Sequence, residues 1–335
     1  MAGMMQFVVR VLAALAVVAL VIVNAQTSLA ANSLSTGERG ETILIQTLTI
    51  SDEQFLKGDS LGRPTLISGT LRVAQGTGRL PLVILVHGSG GIEENITGWE
   101  KLFGSLGIST FALNSFTGRG IVSTVADQSQ LGRLNMIVDV YRSLAVLAAD
   151  PRIDPSRIAV MGFSRGGQAT LYASLKRFQK MWNPSGIEPA AYIALYAPCI
   201  TTYIDDTQVS DHPIRIFHGK SDDWVKIAPC RAYFERLKPT AKDVQMTELP
   251  NAWHAYDYPS LPVHPAVVPY AQTTLCQLKE EPVGTIINMA THKPFTPADA
   301  CVGKGAHVAY SAKATRTTEQ AVRILLERVF KLNEH

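Results

Sequence analysis

A serine lies among glycines in the segment IAVMGFSRGG, residues 158–167. Ser164 is the centre of a Gly-x-Ser-x-Gly pattern, with an apolar run typical of a buried strand before it and a helical pattern after it. A sharp strand-to-helix turn of this kind raises the serine hydroxyl above the sheet, and glycines avoid Cβ collisions in the crowded backbone. The pattern predicts that Ser164 is a nucleophile; an ordinary glycine-rich turn is the alternative.

A serine hydroxyl becomes nucleophilic at neutral pH when a base lies beside it and a third group orients that base. After this kind of turn, the acid and the histidine follow the serine in that order, from loops after later strands. The segment KSDDW offers Asp222 and Asp223, and NAWHAYD offers His254. An HGxxD pattern favours Asp222 over Asp223, so the predicted catalytic residues are Ser164, Asp222 and His254.

Other histidines lie where this order does not require one. His87 precedes Ser164 in the chain and His218 precedes the acid, so we expect both to fix loops through hydrogen bonds. Three more lie in an irregular segment near the C-terminus: His264, His292 and His307.

Acyl transfer also needs hydrogen-bond donors at the developing oxyanion. HGSGG, residues 87–91, follows a predicted strand, and its glycine-rich backbone can present N–H groups to the site. We expect the backbone amide of Arg165 to act together with that of Ser89 or Gly90. A flexible loop without a catalytic role is the alternative.

Three further residues are candidate substrate contacts. Arg119, in SFTGRG after a predicted strand, could bind a substrate carboxylate, or else form a structural ion pair or face solvent. Trp224 and Trp253 flank the acid and the base, where they could wall an apolar acyl pocket or serve in packing.

The elements that must position these residues follow the pattern of an α/β sheet. Short apolar runs that end in a glycine or a polar residue alternate with helical patterns, which is typical of parallel strands with crossover helices. The six predicted parallel strands are residues 80–88, 108–114, 157–164, 191–198, 214–219 and 244–250. Alternating segments at 42–50 and 65–74 predict an antiparallel edge, and the last helix is expected at 317–332, capped by Thr318 or a neighbour. This order predicts the α/β-hydrolase fold, with helices on both faces of the sheet.

Length and hydrophobicity indicate the domain organisation. The 335 residues are 46% hydrophobic, enough for one large core, so we expect a single domain over residues 31–335. Residues 259–312 depart from the α/β rhythm. We expect them to form a surface excursion with a hairpin turning at 281–284.

The N-terminus has the pattern of a secretory leader. Arg10 precedes an apolar run at 11–23 that is followed by small and polar residues, which predicts a signal peptide within residues 1–30. Cleavage could follow Ala25 or Ala30. An uncleaved membrane anchor is the alternative, although the uninterrupted run is short for a spanning helix. We therefore expect a periplasmic or secreted protein without stable membrane insertion after cleavage.

Four cysteines form an even set in a chain expected to be exported, which predicts disulfide bonds. Three pairings are open, and we favour the sequential one, Cys199 with Cys230 and Cys276 with Cys301. Because no CxxC spacing is present, a metal site is not expected. The formal charge of +3, without a run of five or more like charges, argues against a nucleic-acid partner.

The motifs GFSRGG, HGSGG, HGKSDDW and NAWHAYD, taken together and in this order, resemble the dienelactone hydrolase family of α/β-hydrolases. The resemblance extends over about residues 68–257. It implies an esterase-like enzyme that needs no metal or organic cofactor, with Ser164, Asp222 and His254 at the triad positions. The best-known members have a cysteine as nucleophile and no leader, so their dienelactone substrate is not carried over.

The sequence therefore predicts a serine hydrolase that cleaves a small-molecule carboxylic ester or lactone through an acyl-enzyme. A peptidase of the prolyl-oligopeptidase type, which shares the triad and its order, is one alternative. A binding protein that kept the scaffold without catalysis is the other.

Overall fold

An eight-stranded sheet runs through the centre of the molecule in the computed structural model, which describes residues 40–332. Its strands are β1 (Glu41–Thr49), β2 (Arg63–Arg72), β3 (Leu80–Val86), β4 (Ser109–Asn114), β5 (Ile153–Phe163), β6 (Tyr192–Leu195), β8 (Ile214–Gly219) and β9 (Val244–Leu249). They are arranged in the order β1-β2-β4-β3-β5-β6-β8-β9. β1 and β2 pair antiparallel, as do β2 and β4, and every later neighbour pairs parallel.

Helices cover both faces of this sheet. They are α1 (Asp52–Lys57), α2 (Glu94–Ser105), α3 (Asn135–Ala148), α4 (Arg165–Tyr172), α5 (Lys176–Trp182), α6 (Ile227–Leu237) and α7 (Ala312–Phe330). Side chains of β3 alternate between two core clusters: Leu82 and Ile84 pack on the side of α3, whereas Val83 and Leu85 pack on the side of α2 and α7. Each such buried side chain stabilises the fold by about 1.5–3 kcal/mol. The predicted α/β-hydrolase fold is confirmed.

The remaining strands lie in two small sheets. β7 (Thr201–Thr202), β11 (Leu278–Glu280), β12 (Ile286–Asn288) and β13 (Lys293–Pro294) form one, and β10 (Ala266–Thr274) pairs with β14 (Val302–Val308) in the other. β11 and β12 form the expected hairpin, with Glu280 opposite Ile286. Strands thus make up 24 of the 54 residues of the expected excursion, so it is more regular than the sequence indicated.

Two disulfides tie this region and α6 to their surroundings. Cys199 is joined to Cys230 of α6, and Cys276 to Cys301. These are the sequential pairs favoured from the sequence, and they leave no free cysteine in the chain, since all four lie in the described part.

Two helices differ from the sequence-based expectation. The short helix α1 was not predicted, although Ser51 and Gln54 form a capping box at its start. The last helix begins at Ala312 rather than 317, with the Ser311 side chain as its cap. Thr318 is inside the helix, where its hydroxyl donates to the carbonyl of Ala314 at 3.0 Å.

The described residues pack as one compact unit. The expected signal peptide and both ends of the expected 31–335 domain lie outside the described residues. No helix between residues 40 and 332 has the length and apolar character needed to cross a membrane.

Candidate active site

Ser164 lies in a tight turn between β5 and α4. Its backbone has φ 51° and ψ −114°, a conformation that residues with a Cβ rarely adopt. A Cβ at Gly162 would lie 2.1 Å from the carbonyl oxygen of Gly166, and one at Gly166 would lie 2.0 Å from that of Val86. The turn therefore requires both glycines, and it places the serine at the carboxyl edge of the parallel strands.

His254 and Asp222 reach the same edge from the loops after β9 and β8. The Nε2 atom of His254 lies 3.0 Å from the Oγ atom of Ser164, and its Nδ1 atom lies 2.8 Å from Oδ2 of Asp222. The other carboxylate oxygen of Asp222 accepts a hydrogen bond from the amide of Val225 at 2.8 Å. Asp222 and His254 are both buried, whereas Ser164 is partly exposed. The structure thus brings the three predicted residues into one hydrogen-bonded chain.

Asp223 lies next to Asp222 but faces a different partner. One of its oxygens lies 2.6 Å from Nδ1 of His307, and the other accepts the backbone N–H of His307 at 2.9 Å. This half-exposed pair links the acid loop to β14. Asp222 is therefore the carboxylate that contacts His254.

The imidazole of His254 is held between two aromatic rings. The rings of Tyr196 and Trp224 each lie 4.8 Å from it, centroid to centroid. The hydroxyl of Tyr196 donates to Asp257 at 2.7 Å, as does the indole N–H of Trp99 at 2.9 Å. Burial raises the pKa of Asp257 above its usual range. Tyr196 was not predicted, because a tyrosine at the end of a buried strand has no distinguishing pattern in the sequence.

The glycine-rich loop after β3 lies against the serine turn. Val86 pairs with Gly162 across β3 and β5, so the two strands end together. A Cβ at Gly88 would lie 3.5 Å from that of Ser164, and Ser89 and Gly90 line the same cavity as the serine. The amide of Arg165 is in the first turn of α4, where it has no acceptor within the helix.

The side chain of Arg165 holds the loop that faces Ser164. Its guanidinium donates to the side-chain oxygen of Gln128 at 2.9 Å and to the carbonyls of Leu131 and Gly132. Burial lowers the pKa of Arg165 to about 9. Within residues 40–332, no carboxylate forms an ion pair with it.

Two cavities of different character meet at Ser164. The first encloses about 420 Å³, including space open to solvent, and is mostly polar; its lining includes Gln128, Arg133, Arg165, Gln272 and Thr274. The second encloses about 750 Å³, again including space open to solvent, and is more aromatic and apolar; its lining includes Tyr196, Tyr258, Leu261, Val268, Tyr270 and Val308. Ser89, Ser164 and Trp224 line both. The nucleophile can therefore be approached from two sides.

Two candidate substrate contacts are corrected by the structure. Arg119 turns inward and forms an almost fully buried ion pair with Asp139 at 2.7 Å, and it also donates to the carbonyl of Leu48. Because these groups satisfy its guanidinium inside the protein, it has no donor left for a substrate carboxylate. Trp253 packs against the ring of His307 at 5.2 Å and lines neither cavity at Ser164. Trp224 does line both.

His87 fixes the glycine-rich loop in its neutral form. Its Nδ1 atom lies 2.7 Å from the carbonyl oxygen of Gly88, and its Nε2 atom accepts from the amide of Ser115 at 3.2 Å. Complete burial lowers the pKa of His87 from 6.5 to about 4, in spite of the bond to Gly88. Protonation of Nε2 would replace this acceptor with an N–H group, which would face the N–H group of Ser115 without a hydrogen bond.

We expect His87 to make the protein less stable in acid. Between pH 6.5 and 4 the unfolded chain binds a proton that the folded chain does not, so the free energy of unfolding falls as the pH falls through this range. At about 1.4 kcal/mol per pKa unit, the loss is about 3 kcal/mol. Urea unfolding at pH 7 and pH 4.5 should show a smaller decrease in His87→Gln than in the wild type. His264→Gln, at an exposed position, is the control; equal decreases in all three proteins would contradict this role.

Among residues 40–332, no cluster of three or more histidine, cysteine, aspartate or glutamate side chains is arranged to hold a metal ion.

Comparison with known proteins agrees with this architecture. The model of the dienelactone hydrolase family matches residues 67–276. None of the curated proteins compared with the sequence is significantly similar to it.

Solved structures show the same fold at low sequence identity. The dienelactone hydrolase-like promiscuous phosphotriesterase P91 from metagenomic libraries is 15% identical, with a TM-score of 0.53, over 87% of this chain and 98% of that one. The structure of m3DLH is 19% identical, with a TM-score of 0.54, over 87% and 98% of the two chains. The family match spans well over half of the sequence. The chain therefore belongs to the dienelactone hydrolase family and is a hydrolase of the α/β-hydrolase fold.

Proposed function

We propose that the protein is an exported serine hydrolase that cleaves a carboxylic ester or lactone through an acyl-enzyme. The observation that carries this proposal is the hydrogen-bonded chain from Ser164 through His254 to Asp222, with distances of 3.0 and 2.8 Å. Serine hydrolases of several unrelated folds use this arrangement. Membership of the dienelactone hydrolase family favours esters and lactones over peptides as substrates.

In the proposed mechanism, the Oγ atom of Ser164 attacks the carbonyl carbon while its proton passes to Nε2 of His254. The Nδ1–H group of His254 donates a hydrogen bond to Asp222. This bond fixes the tautomer of the neutral imidazole and stabilises the imidazolium that forms. The amides of Arg165 and of Ser89 or Gly90 donate to the oxyanion. His254 then gives its proton to the departing alcohol. Water attacks the acyl-serine and loses a proton to His254, which returns it to Oγ of Ser164 as the bond between Oγ and the acyl carbon breaks and the carboxylic acid is released.

No cysteine of this chain can serve as the nucleophile in place of Ser164. All four cysteines are in disulfides, so none can take the part that a cysteine plays in the best-known members of the family. The same disulfides support export, since such bonds persist in oxidising compartments. The two cavities at Ser164 offer separate space for the acyl and alcohol parts of an ester.

A fluorophosphonate probe tests the proposal, because it reacts with activated serines. We expect labelling of the purified protein at Ser164, located by mass spectrometry, and no labelling after heat denaturation. Iodoacetamide pretreatment should change nothing. We expect kcat/KM for p-nitrophenyl acetate and butyrate to be at least about 100-fold higher than kcat/KM for aminoacyl-anilides. A mismatch between a substrate and one pocket of the site is enough to lower kcat/KM by a factor of this order. Absence of labelling would support a binding protein, and preference for the anilides would support a peptidase.

A further inference from the structure

A large groove lies beside the active site, between α6 and the chain that joins β10 to β11. It encloses about 1290 Å³, including space open to solvent. Its lining is largely apolar, with Ile200, Pro229, Leu275, Leu278 and Met289 among the residues that form it. Leu275 is 46% exposed. Apolar surface of this kind, left open next to a reaction centre, is typical of a ligand-binding groove.

The groove borders the polar cavity that contains the nucleophile. Ile200 and Thr274 line both the groove and the polar cavity at Ser164. Val225 lines that cavity, and the next residue, Lys226, lines the groove. The groove is therefore the next space that a substrate bound at Ser164 meets on this side of the site.

We propose that the groove binds an extended, uncharged apolar arm of the substrate, so that the preferred substrates are long-chain esters. This inference rests on the proposed function and gives it a substrate class. An uncharged arm fits because most residues that line the groove are apolar, and two of its three cations pair with carboxylates of the protein. Arg236 pairs with Asp206 at 2.6 Å, and Lys279 pairs with Glu281 at 2.5 Å.

Two disulfides anchor segments that line the groove. Cys199–Cys230 links the chain before β7 to α6, and Cys276–Cys301 fixes the opposite wall to the start of β14. Because both lining segments are covalently anchored, binding of an arm costs less loop ordering than it would on free segments. Each methylene group that enters the groove then adds to the affinity.

Ala232 offers a way to block the groove without touching the catalytic residues. It is exposed on α6 and lines the groove together with Ala228, one turn earlier. A tryptophan at this position would occupy the space of the arm. Gln320→Trp, at an exposed position of α7 that does not line the groove, is the matched control.

The test is the ratio of kcat/KM for p-nitrophenyl octanoate to that for p-nitrophenyl acetate, measured on the purified protein. We expect a ratio above one in the wild type and in Gln320→Trp, and a decrease of at least about tenfold in Ala232→Trp, since several methylene groups lose their contacts. An unchanged ratio in Ala232→Trp, with a normal melting temperature, would overturn the groove assignment.

A binding measurement separates this inference from the proposed function. Calorimetric titration of Ser164→Ala protein with p-nitrophenyl octanoate should show binding that the added Ala232→Trp change weakens about tenfold. If no ester is hydrolysed by the wild type but this binding pattern holds, the groove stands and the proposed function is wrong. If the binding is the same with and without tryptophan at 232, the groove assignment is wrong, whatever the turnover.

Discussion

Replacing Ser164 with alanine is expected to reduce kcat for ester hydrolysis by about 10⁵–10⁶-fold, the loss that follows removal of the nucleophile in serine hydrolases. The hydroxyl of Ser164 is the atom that meets Nε2 of His254 at 3.0 Å. Without it, no acyl-enzyme can form, and only the oxyanion donors and substrate binding remain. Burst and steady-state kinetics with p-nitrophenyl butyrate measure the effect.

The folded state should tolerate this change. Alanine has the same Cβ as serine, so the strained backbone at φ 51° is no more crowded than before. We expect an unchanged far-UV circular dichroism spectrum and a melting temperature within about 4 °C of the wild type, a shift that corresponds to about 1 kcal/mol or more in a domain of this size. Ser185→Ala, in an exposed loop, should retain full activity. Turnover by Ser164→Ala within tenfold of the wild type would refute the assignment of the nucleophile.

Replacing Asp222 with asparagine is expected to lower kcat by about 10⁴-fold near neutral pH, as loss of the orienting carboxylate does in a comparable triad. The asparagine keeps an oxygen to accept from the amide of Val225, so the acid loop retains that contact. Its NH₂ group, however, turns toward Nδ1 of His254 and favours the tautomer with a proton on Nε2. That tautomer cannot accept the proton of Ser164.

The neighbouring aspartate provides the matched control. Asp223→Asn alters the half-exposed contact with His307 but leaves the 2.8 Å contact between Asp222 and His254 in place. A pair of this kind contributes about 0–1 kcal/mol to stability, so kcat should stay within about threefold of the wild type. Similar losses in both variants, or a larger loss in Asp223→Asn, would contradict the assignment of the triad acid.

The order of the chain made the main features of this site predictable. Short apolar runs predicted β5, β8 and β9, and parallel strands place their carboxyl ends at one edge of a sheet. Residues that follow those strands must then lie near one another. This is why Ser164, Asp222 and His254 could be selected from segments 58 and 90 residues apart, separations read directly from their numbers.

The walls of the site were less predictable. Arg133, Gln272 and Thr274 line the polar cavity, yet none lies in a motif or directly after a parallel strand of the main sheet. They reach Ser164 from the loop before α3 and from β10, which packs beside the main sheet through tertiary contacts. For example, the side-chain oxygen of Gln272 accepts a hydrogen bond from the backbone N–H of Gln128 at 2.6 Å, although the two residues are 144 positions apart in the sequence.

By itself, the sequence determined the fold class, the strand-to-helix turn at Ser164 and the order of the residues that meet it, because these depend on local patterns and on the geometry common to parallel sheets. Only the tertiary structure decided which way individual side chains face. Arg119 follows a strand at the active-site edge, yet its guanidinium is drawn inward by Asp139 on α3. A buried charge must find its partner inside the protein, and the position of that partner is set by how helix and sheet pack rather than by any spacing in the chain.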